Sequence, residues 1–163
     1  MNIIIIGDQA TGKTSFVDRL TKNTFSSSYC TTLAKDLHVI EFRGKTIHLH
    51  DHGGSPRYQD LRQLHYKLAD GVILFCDNKF NVEPWLKLLE KENPGVPVVI
   101  VMNKIDNPFV PQPKGADVYI SCKSNYNLEN VLPKLVPQIK EPEVKISPLE
   151  SWFEYLPPYC SIS

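Results

Sequence analysis

The sequence lacks long apolar runs and an excess of either charge, and each absence excludes a class of protein. Its longest uninterrupted apolar stretches are 3–6, 72–76 and 98–102, far shorter than the roughly 20 residues that span a bilayer. Lysine and arginine together number 18, as do aspartate and glutamate, so no net field would gather nucleic acid onto the surface. We therefore expect no transmembrane helix and no nucleic-acid partner.

Cysteines are few and dispersed along the chain. The four cysteines, at positions 30, 76, 122 and 160, form neither a CxxC pair nor a Cys/His metal spacing. The N-terminus has no basic flank or cleavage site typical of a secretory signal, so we expect a cytoplasmic protein with reduced thiols. One metal hypothesis stays open, because strand alternation would place His48, His50 and His52 on one face. An ordinary polar strand face gives the same pattern.

The apolar pattern alternates between strand-like and helix-like segments. The length of 163 residues suits one domain, and 42% apolar with 22% charged residues is typical of a globular protein. Runs rich in Ile and Val have the continuous apolar character of buried parallel strands; they lie at 2–6, 72–76 and 97–102. Helical periodicity occurs over the ranges 13–22, 57–69 and 83–91. The apolar residues that carry it are Tyr58, Leu61, Leu64 and Leu68 in the second range and Trp85, Leu86, Leu88 and Leu89 in the third.

One pair of strands departs from this alternation. The segments 37–43 and 45–51 are joined through Gly44 and predict an antiparallel hairpin at the sheet edge. The sequence therefore predicts an α/β fold, with a mostly parallel sheet, one antiparallel edge strand and helices on both faces. A last helix is expected to begin at an Asn127 cap and to be kinked or shortened by Pro133 and Pro137.

A phosphate-binding motif directly follows the first strand and opens the first helix. It matches GxxxxGK[ST] in the structural setting that this motif requires, and it consists of Gly7, Asp8, Gln9, Ala10, Thr11, Gly12, Lys13 and Thr14. Backbone N–H groups of such a loop and the positive end of the helix dipole bind a phosphate. Lys13 supplies a point charge, and the Thr14 hydroxyl is a ligand for Mg²⁺.

Two further motifs follow predicted strands. Asn103, Lys104 and Asp106 belong to NKID, which comes directly after the strand 97–102, where a doubly wound sheet forms its ligand crevice. A carboxylate there can accept from both N1–H and the exocyclic amine of guanine, a pair that adenine lacks. The second motif is Asp51-His52-Gly53-Gly54, which matches D-x-x-G. This short pattern often occurs by chance, and it is informative here because it lies at the end of a predicted strand.

Together these motifs resemble the Ras superfamily of small GTPases. The ordered set is GDQATGKT, Thr32, DHGG, NKID and Ser121-Cys122-Lys123, and the hairpin FRGKTIHLHD is most like the Rab branch. Phe25 and Tyr29 stand seven and three residues before Thr32, like the family's guanine-edge aromatic and phosphate-covering tyrosine. The resemblance implies the P-loop NTPase fold of a small GTPase over residues 1–139, with GTP or GDP and Mg²⁺ as ligands.

The resemblance also assigns roles to single residues. Thr32 would bind Mg²⁺ and the γ-phosphate, and Asp51 would hold Mg²⁺ through water, which makes Thr14, Thr32 and Asp51 the implied metal set. The Gly54 amide would sense the γ-phosphate. Ser121, Cys122 and Lys123 are similar to the family's SAK loop, whose backbone approaches the guanine oxygen.

The chain departs from the family at the positions that govern hydrolysis. Ser55 stands where relatives carry the glutamine that orients the attacking water, and serine is too short to reach it. Gln9 replaces a Gly or Ser and would crowd that water. Of the implied catalytic residues, Lys13 and Thr32 match the family, whereas Ser55 and Gln9 do not. We therefore expect slow GTP hydrolysis; the alternative is a hydrolysis-deficient binding module that engages effectors constitutively.

The chain after NKID also departs from the family pattern. The interval 107–120 contains Pro108, Pro111 and Pro113, so the helix that relatives place there is expected to be missing. In the tail 140–163, a capping box at 147–150 predicts a short amphipathic helix. We expect this helix to pack on its own domain; the alternative is a contact with a membrane or a partner. The final residues, beginning at Cys160, fit a prenylation box, although the tail is net acidic and one lipid chain anchors only marginally.

The function that these patterns favour is a Rab-like guanine-nucleotide switch in signalling or vesicle trafficking. Its expected partners are effectors, an exchange factor and a GTPase-activating protein, reached through loops around Thr32 and 55–66. We expect a cytoplasmic monomer, with peripheral attachment to the cytosolic face of a membrane if Cys160 is prenylated. A P-loop ATPase or nucleotide kinase would share GxxxxGKT but would not predict NKID or Thr32.

Overall fold

In the part of the chain that the structure describes, six strands form one sheet with helices on both faces. The computed structural model describes residues 1–27, 36–51, 64–77, 81–108 and 112–140. The strands are β1 (Asn2–Gly7), β2 (Asp36–Phe42), β3 (Lys45–Asp51), β4 (Gly71–Cys76), β5 (Val98–Met102) and β6 (Val118–Tyr119). The helices are α1 (Lys13–Lys22), α2 (described over 64–67), α3 (Glu83–Glu92) and α4 (Val131–Leu135), with 3₁₀ turns at Leu128–Asn130 and Val136–Gln138.

The sheet order is β2-β3-β1-β4-β5-β6, and every pair except β2–β3 is parallel. This confirms the predicted α/β class with its single antiparallel edge strand. The strands predicted at 2–6, 72–76 and 97–102 match β1, β4 and β5 to within one residue at each end. Because β1, β3 and β5 run parallel, their carboxyl ends meet at one edge of the sheet, where ligand crevices form.

The hairpin between β2 and β3 closes through a two-residue turn. Phe42 pairs with Lys45, and the two residues between them, Arg43 and Gly44, have φ angles of 51° and 75°. Two consecutive positive φ angles are what a type I′ hairpin turn requires. The predicted first strand, 37–43, is therefore shifted by one residue, because Arg43 belongs to the turn and Asp36 to the strand.

Alternating residues of the central strands form two separate cores. On one face, Ile3 and Ile5 of β1 pack with α1 and the C-terminal helical segment. The rings of Phe16 and Phe75 lie 5.2 Å apart there, a tilted aromatic contact. On the other face, Ile4 packs with residues of α2 and α3.

The apolar face expected for α2 is only partly confirmed. Leu64 and Leu68 continue the predicted helical spacing, but they are 62% and 61% exposed. Tyr66 and Ala69 are the residues of this segment that enter the core. Leu64 and Leu68, which carry the predicted helical spacing, therefore lie outside the core, because the segment turns its tyrosine toward the sheet. The rest of the predicted helix 57–69 lies outside the described residues.

The last helical segment is divided, as the prolines predict. Pro133 falls in the first turn of α4, where its missing N–H removes no intrahelical bond, and Pro137 lies in the following 3₁₀ turn. The predicted Asn127 cap is wrong. Asn127 has a φ of 63° and makes no side-chain cap; its amide instead donates to the Tyr119 carbonyl at 2.8 Å.

The described residues between Asp106 and β6, namely 107, 108 and 112–117, form turns and irregular backbone. The tail predictions at 147–150 and at Cys160 lie outside the described residues. Within the described ranges, no helix is long and apolar enough to cross a membrane. The same ranges contain no group of three or more His, Cys, Asp and Glu side chains that could hold a metal ion, and His52 lies outside them.

Candidate functional site

The phosphate-binding loop links the end of β1 to the start of α1 through two glycines that have no room for a side chain. Gly7 has a φ of 135°, and a Cβ there would lie 2.1 Å from the Phe75 carbonyl oxygen. Gly12 has a φ of 98°, and its Cβ would lie 2.1 Å from the Asn103 amide nitrogen. The left-handed backbone and the close approach both favour glycine. The loop is thus shaped by β4 on one side and by the NKID segment on the other.

Lys13 is buried beneath this loop. Its ammonium donates to the carbonyl oxygens of Gly7 at 3.0 Å and Asp8 at 2.7 Å. The Thr11 hydroxyl also donates to the Asp8 carbonyl, at 2.9 Å. These bonds place a positive charge at the N-terminus of α1, where the helix dipole already favours an anion.

Thr14 and Asp51 meet beside the loop. The Thr14 hydroxyl donates to Asp51 Oδ2 at 2.6 Å, and Asp51 is only 1% exposed. Ile5 of β1 is paired with Asp51 of β3, which brings the carboxylate to the sheet edge where the loop begins. A hydroxyl and a carboxylate are the hard oxygen ligands that Mg²⁺ prefers. The donor set therefore fits the magnesium ion that the sequence predicts.

Asn103 connects the phosphate-binding loop to the loop after β6. This buried side chain donates from Nδ2 to the Thr11 carbonyl at 2.9 Å and accepts at Oδ1 from the Cys122 N–H at 3.1 Å. An amide is the side chain suited to this position, because it offers a donor and an acceptor at one end. One residue thus fixes the spacing between two loops that are far apart in sequence.

Asp106 is held by the same second loop. The Ser121 hydroxyl donates to Asp106 Oδ1 at 2.6 Å, and the Lys123 ammonium lies 3.9 Å from Oδ2. Lys104 adopts a positive φ of 65°, and its ammonium lies 3.3 Å from Asp77 Oδ2. The NKID and Ser-Cys-Lys motifs, which sequence spacing alone could not connect, therefore form one cluster.

The two described cysteines are buried and weakly acidic. Burial raises the pKa of the Cys122 thiol from 9.0 to about 12, and burial also raises the pKa of Cys76 to about 12. A thiol with such a pKa carries almost no thiolate near neutral pH and is a poor nucleophile. The Cys122 side chain at the alanine position of the family loop is therefore a small buried group.

The structure describes most of the predicted site residues and brings them to one edge of the sheet. The described ones are Gly7, Asp8, Gln9, Ala10, Thr11, Gly12, Lys13, Thr14, Phe25, Asp51, Asn103, Lys104, Asp106, Ser121, Cys122 and Lys123. Gln9 is exposed, and Phe25 is partly buried against the core that holds α1. The predicted roles of Tyr29, Thr32, Gly54, Ser55 and Cys160 concern residues outside the described ranges.

Two further residues support the site, and the sequence patterns did not predict either of them. Trp85 of α3 donates its indole N–H to Asp8 Oδ1 at 3.0 Å. Arg19 of α1 donates to the carbonyls of Cys122 and Lys123, at 2.8 and 3.0 Å. The need of a half-buried indole for an acceptor was a weak signal for Trp85, whereas no local pattern links Arg19 to a loop about 100 residues later.

Comparison with known proteins agrees with this geometry. The family described as Ras of Complex, Roc, domain of DAPkinase matches residues 2–106. The Ras-related protein RABE1d of Arabidopsis thaliana is 31% identical over 164 residues, which cover 86% of this chain and 76% of that protein. The Ras-related protein Rab-12 of Mus musculus is 30% identical over 162 residues, which cover 85% of this chain and 67% of that protein.

A third relative is much longer than this chain. The Ras and EF-hand domain-containing protein of Xenopus tropicalis is 32% identical over 114 residues, which cover 64% of this chain and 16% of that protein. The phosphate-binding loop, the NKID segment and the sheet order agree with these matches. The chain belongs to the Ras superfamily of small GTPases and is Rab-like.

Proposed function

We propose that this protein binds GTP and GDP with Mg²⁺ and acts as a guanine-nucleotide switch. The observation that carries the proposal is the hydrogen-bonded joining of four segments at one sheet edge, namely the phosphate-binding loop, the end of β3, the NKID segment and the loop after β6. Thr14 contacts Asp51, and Asn103 bridges Thr11 to Cys122. The arrangement supplies an anion-binding loop for the phosphates, an oxygen-rich position beside it for the metal, and the Asp106 carboxylate for the base.

Base selection is assigned to Asp106. Its carboxylate accepts from N1–H and the 2-amino group of guanine, and the Ser121 hydroxyl at 2.6 Å holds one of its oxygens in place. A site built to hydrogen-bond these donors discriminates by about 10⁴-fold or more against a base that lacks them. The backbone of residues 121–123 then faces the guanine oxygen, and Phe25 covers the edge of the base.

The phosphates and the metal are assigned to the loop and to Asp51. Lys13 neutralises phosphate charge, while Thr14 and Asp51 hold Mg²⁺, Asp51 through water. The family resemblance adds Thr32 as a metal and γ-phosphate ligand and the Gly54 amide as the γ-phosphate sensor. Loss of the γ-phosphate would release both segments, which is how nucleotide state becomes protein conformation.

Hydrolysis is proposed to be slow. Ser55 cannot reach the water that glutamine orients in relatives, and Gln9 is an exposed side chain on the loop that surrounds the phosphates. The same two residues support the second candidate function, a GTP-loaded module that occupies effectors without cycling. The two functions share one binding site and differ only in turnover.

Partners are proposed to bind an apolar surface whose residues directly follow, in sequence, the segments that carry Thr32 and Gly54. Leu37 and Val39 of β2 are 54% and 59% exposed, and Leu64 and Leu68 are exposed on and beside α2. The His50 and His65 rings lie 6.0 Å apart, which brings β3 and α2 together at this surface. Exposed leucines at such a position are typical of a protein interface, here for effectors, an exchange factor or a GTPase-activating protein.

We assign membrane attachment to the C-terminal tail, 140–163. Prenylation at Cys160 would give weak, reversible association with the cytosolic face of a membrane, because a single lipid chain without basic residues binds marginally. That association would suit a role in vesicle trafficking. A mass measurement of the protein recovered from eukaryotic cells, with Cys160→Ser as control, tests the modification.

The decisive experiment is single-turnover hydrolysis of labelled GTP in Mg²⁺, with ATP as the competing nucleotide. Ser55→Gln and Gln9→Gly are compared with the unchanged protein. Tight GTP retention with slow turnover that the variants accelerate supports the switch with weak hydrolysis. No detectable turnover in the unchanged protein favours the non-cycling module. Equal competition by ATP would refute guanine specificity and revive the ATPase interpretation.

A further inference from the structure

Arg19 joins two parts of the proposed base site that are far apart in sequence. Its Nε donates to the Cys122 carbonyl at 2.8 Å, and its Nη2 donates to the Lys123 carbonyl at 3.0 Å. The same guanidinium lies 5.5 Å from the centre of the Phe25 ring. It therefore stands between the aromatic residue at the base edge and the loop that approaches the guanine oxygen.

The two carbonyl contacts determine where the loop N–H groups point. A trans peptide unit is planar, and its C=O and N–H point in opposite directions. Fixing the Cys122 carbonyl on Arg19 therefore turns the Lys123 N–H to the other side of the loop. Within the loop, the Ser124 N–H donates to Ser121 Oγ at 3.1 Å and the Cys122 N–H donates to Asn103.

An arginine is suited to this task because its donors form a rigid planar fork. Lysine has a single ammonium on a flexible stem and would not hold two successive carbonyls in one geometry. Arg19 also donates to the Asn23 carbonyl at 3.4 Å, at the end of α1. The guanidinium is therefore anchored on its own helix while it orients the loop.

We propose that Arg19 is a positioning residue for guanine recognition. It orients the peptide between Cys122 and Lys123 so that the Lys123 N–H donates to O6 of the purine, and it supports Phe25 at the base edge. The inference rests on the proposed function, since it assigns a specificity determinant within the same site. Arg19 itself touches neither the base nor the phosphates.

The test compares three nucleotides whose bases differ in the groups that the proposed site contacts. GDP carries O6, N1–H and the 2-amino group, inosine diphosphate lacks only the 2-amino group, and 2-aminopurine riboside diphosphate lacks both O6 and N1–H. The ratio of GDP to inosine affinity therefore reports Asp106 alone. The ratio of GDP to 2-aminopurine affinity reports Asp106 and the loop N–H together, so a variant that lowers this ratio and retains the inosine ratio has lost the loop N–H contact. Dissociation constants are measured by titration for the unchanged protein, Arg19→Met and Arg19→Lys.

Arg19→Met is expected to weaken GDP binding about 10- to 100-fold, the scale of lost hydrogen bonds from a charged donor. The preference for GDP over the 2-aminopurine nucleotide should fall by the same factor, while the preference over inosine diphosphate is retained. For Arg19→Lys, the GDP affinity and the preference for GDP over the 2-aminopurine nucleotide should lie between the values for the unchanged protein and for Arg19→Met. The matched control is Lys22→Met on the same helix, which removes a surface cation paired with Asp18 and should change neither ratio.

The outcomes separate this inference from the proposed function. If Arg19→Met loses affinity for all three nucleotides equally, Arg19 only stabilises the fold. If neither the affinities nor their ratios change, Arg19 positions nothing. Either outcome overturns the inference. Arg19→Lys keeps the experiment informative if Arg19→Met does not fold, as judged by thermal unfolding. If the unchanged protein shows no preference for GDP, the proposed function itself fails.

Discussion

Gly12 and Gly44 make a matched pair for measuring what close approach costs in this fold. Both have positive φ angles, 98° and 75°, so alanine is strained at either position. A Cβ at Gly12 would lie 2.1 Å from Asn103 Nδ2, whereas nothing lies within 4 Å of a Cβ at Gly44. Gly44→Ala therefore isolates the backbone term, and Gly12→Ala adds the displacement of Asn103.

The two terms can be estimated separately. A side chain forced into a sparsely populated backbone region costs about 1–3 kcal/mol, which is the whole effect expected for Gly44→Ala. Displacing Asn103 breaks its bonds to the Thr11 carbonyl and the Cys122 N–H. Each buried group left unsatisfied costs about 1–3 kcal/mol. Gly12→Ala should therefore cost about 2–6 kcal/mol more than Gly44→Ala, a large part of a typical stability of about 5–15 kcal/mol.

The assay is urea unfolding of both variants and the unchanged protein, followed by far-UV circular dichroism. The free energy of unfolding in water is obtained by linear extrapolation. GDP affinity, measured on the folded fraction, should fall for Gly12→Ala and remain unchanged for Gly44→Ala. A Gly12→Ala variant that is as stable as Gly44→Ala would refute the packing argument, because Asn103 would then have moved without cost.

Three further predictions test other contacts of the site. In a double-mutant cycle, Trp85→Phe and Asp8→Ala should couple by about 1 kcal/mol, because a half-buried indole donates to a carboxylate at 3.0 Å; additivity in urea unfolding would contradict this. Asn103→Ala should lower both the free energy of unfolding and GDP affinity, and a variant with native affinity would show that Asn103 does not link the loops. Because burial raises the pKa of Cys122 to about 12 in the folded state, the unfolded chain loses that proton first. Stability should therefore fall as pH rises above about 9, less steeply in Cys122→Ala, and an unchanged pH profile in that variant would refute the assignment.

Local patterns in the sequence determined most of the fold. Continuous apolar runs, helical periodicity and the Gly44 turn predicted the central strands, α1, α3 and the hairpin, because each element is specified by residues within its own length. The prolines similarly predicted a divided last segment. Local patterns failed where the position of a side chain depends on a contact with another part of the fold. Leu64 has the spacing of a core residue and is exposed, while Asn127 has the chemistry of a cap and bonds to Tyr119 instead.

The candidate site divides in the same way. The sequence by itself identified the phosphate-binding loop, Asp51 and Asp106 as candidate site residues, because the proposed chemistry requires particular residue types at fixed spacing beside strands. Only the tertiary structure decided which groups hold them. Asn103 bridges two loops, Trp85 donates to Asp8, and Arg19 donates to two carbonyls of the loop after β6, each across many residues. Such contacts depend on how helices and strands pack in three dimensions, and no pattern within a short stretch of sequence contains that information.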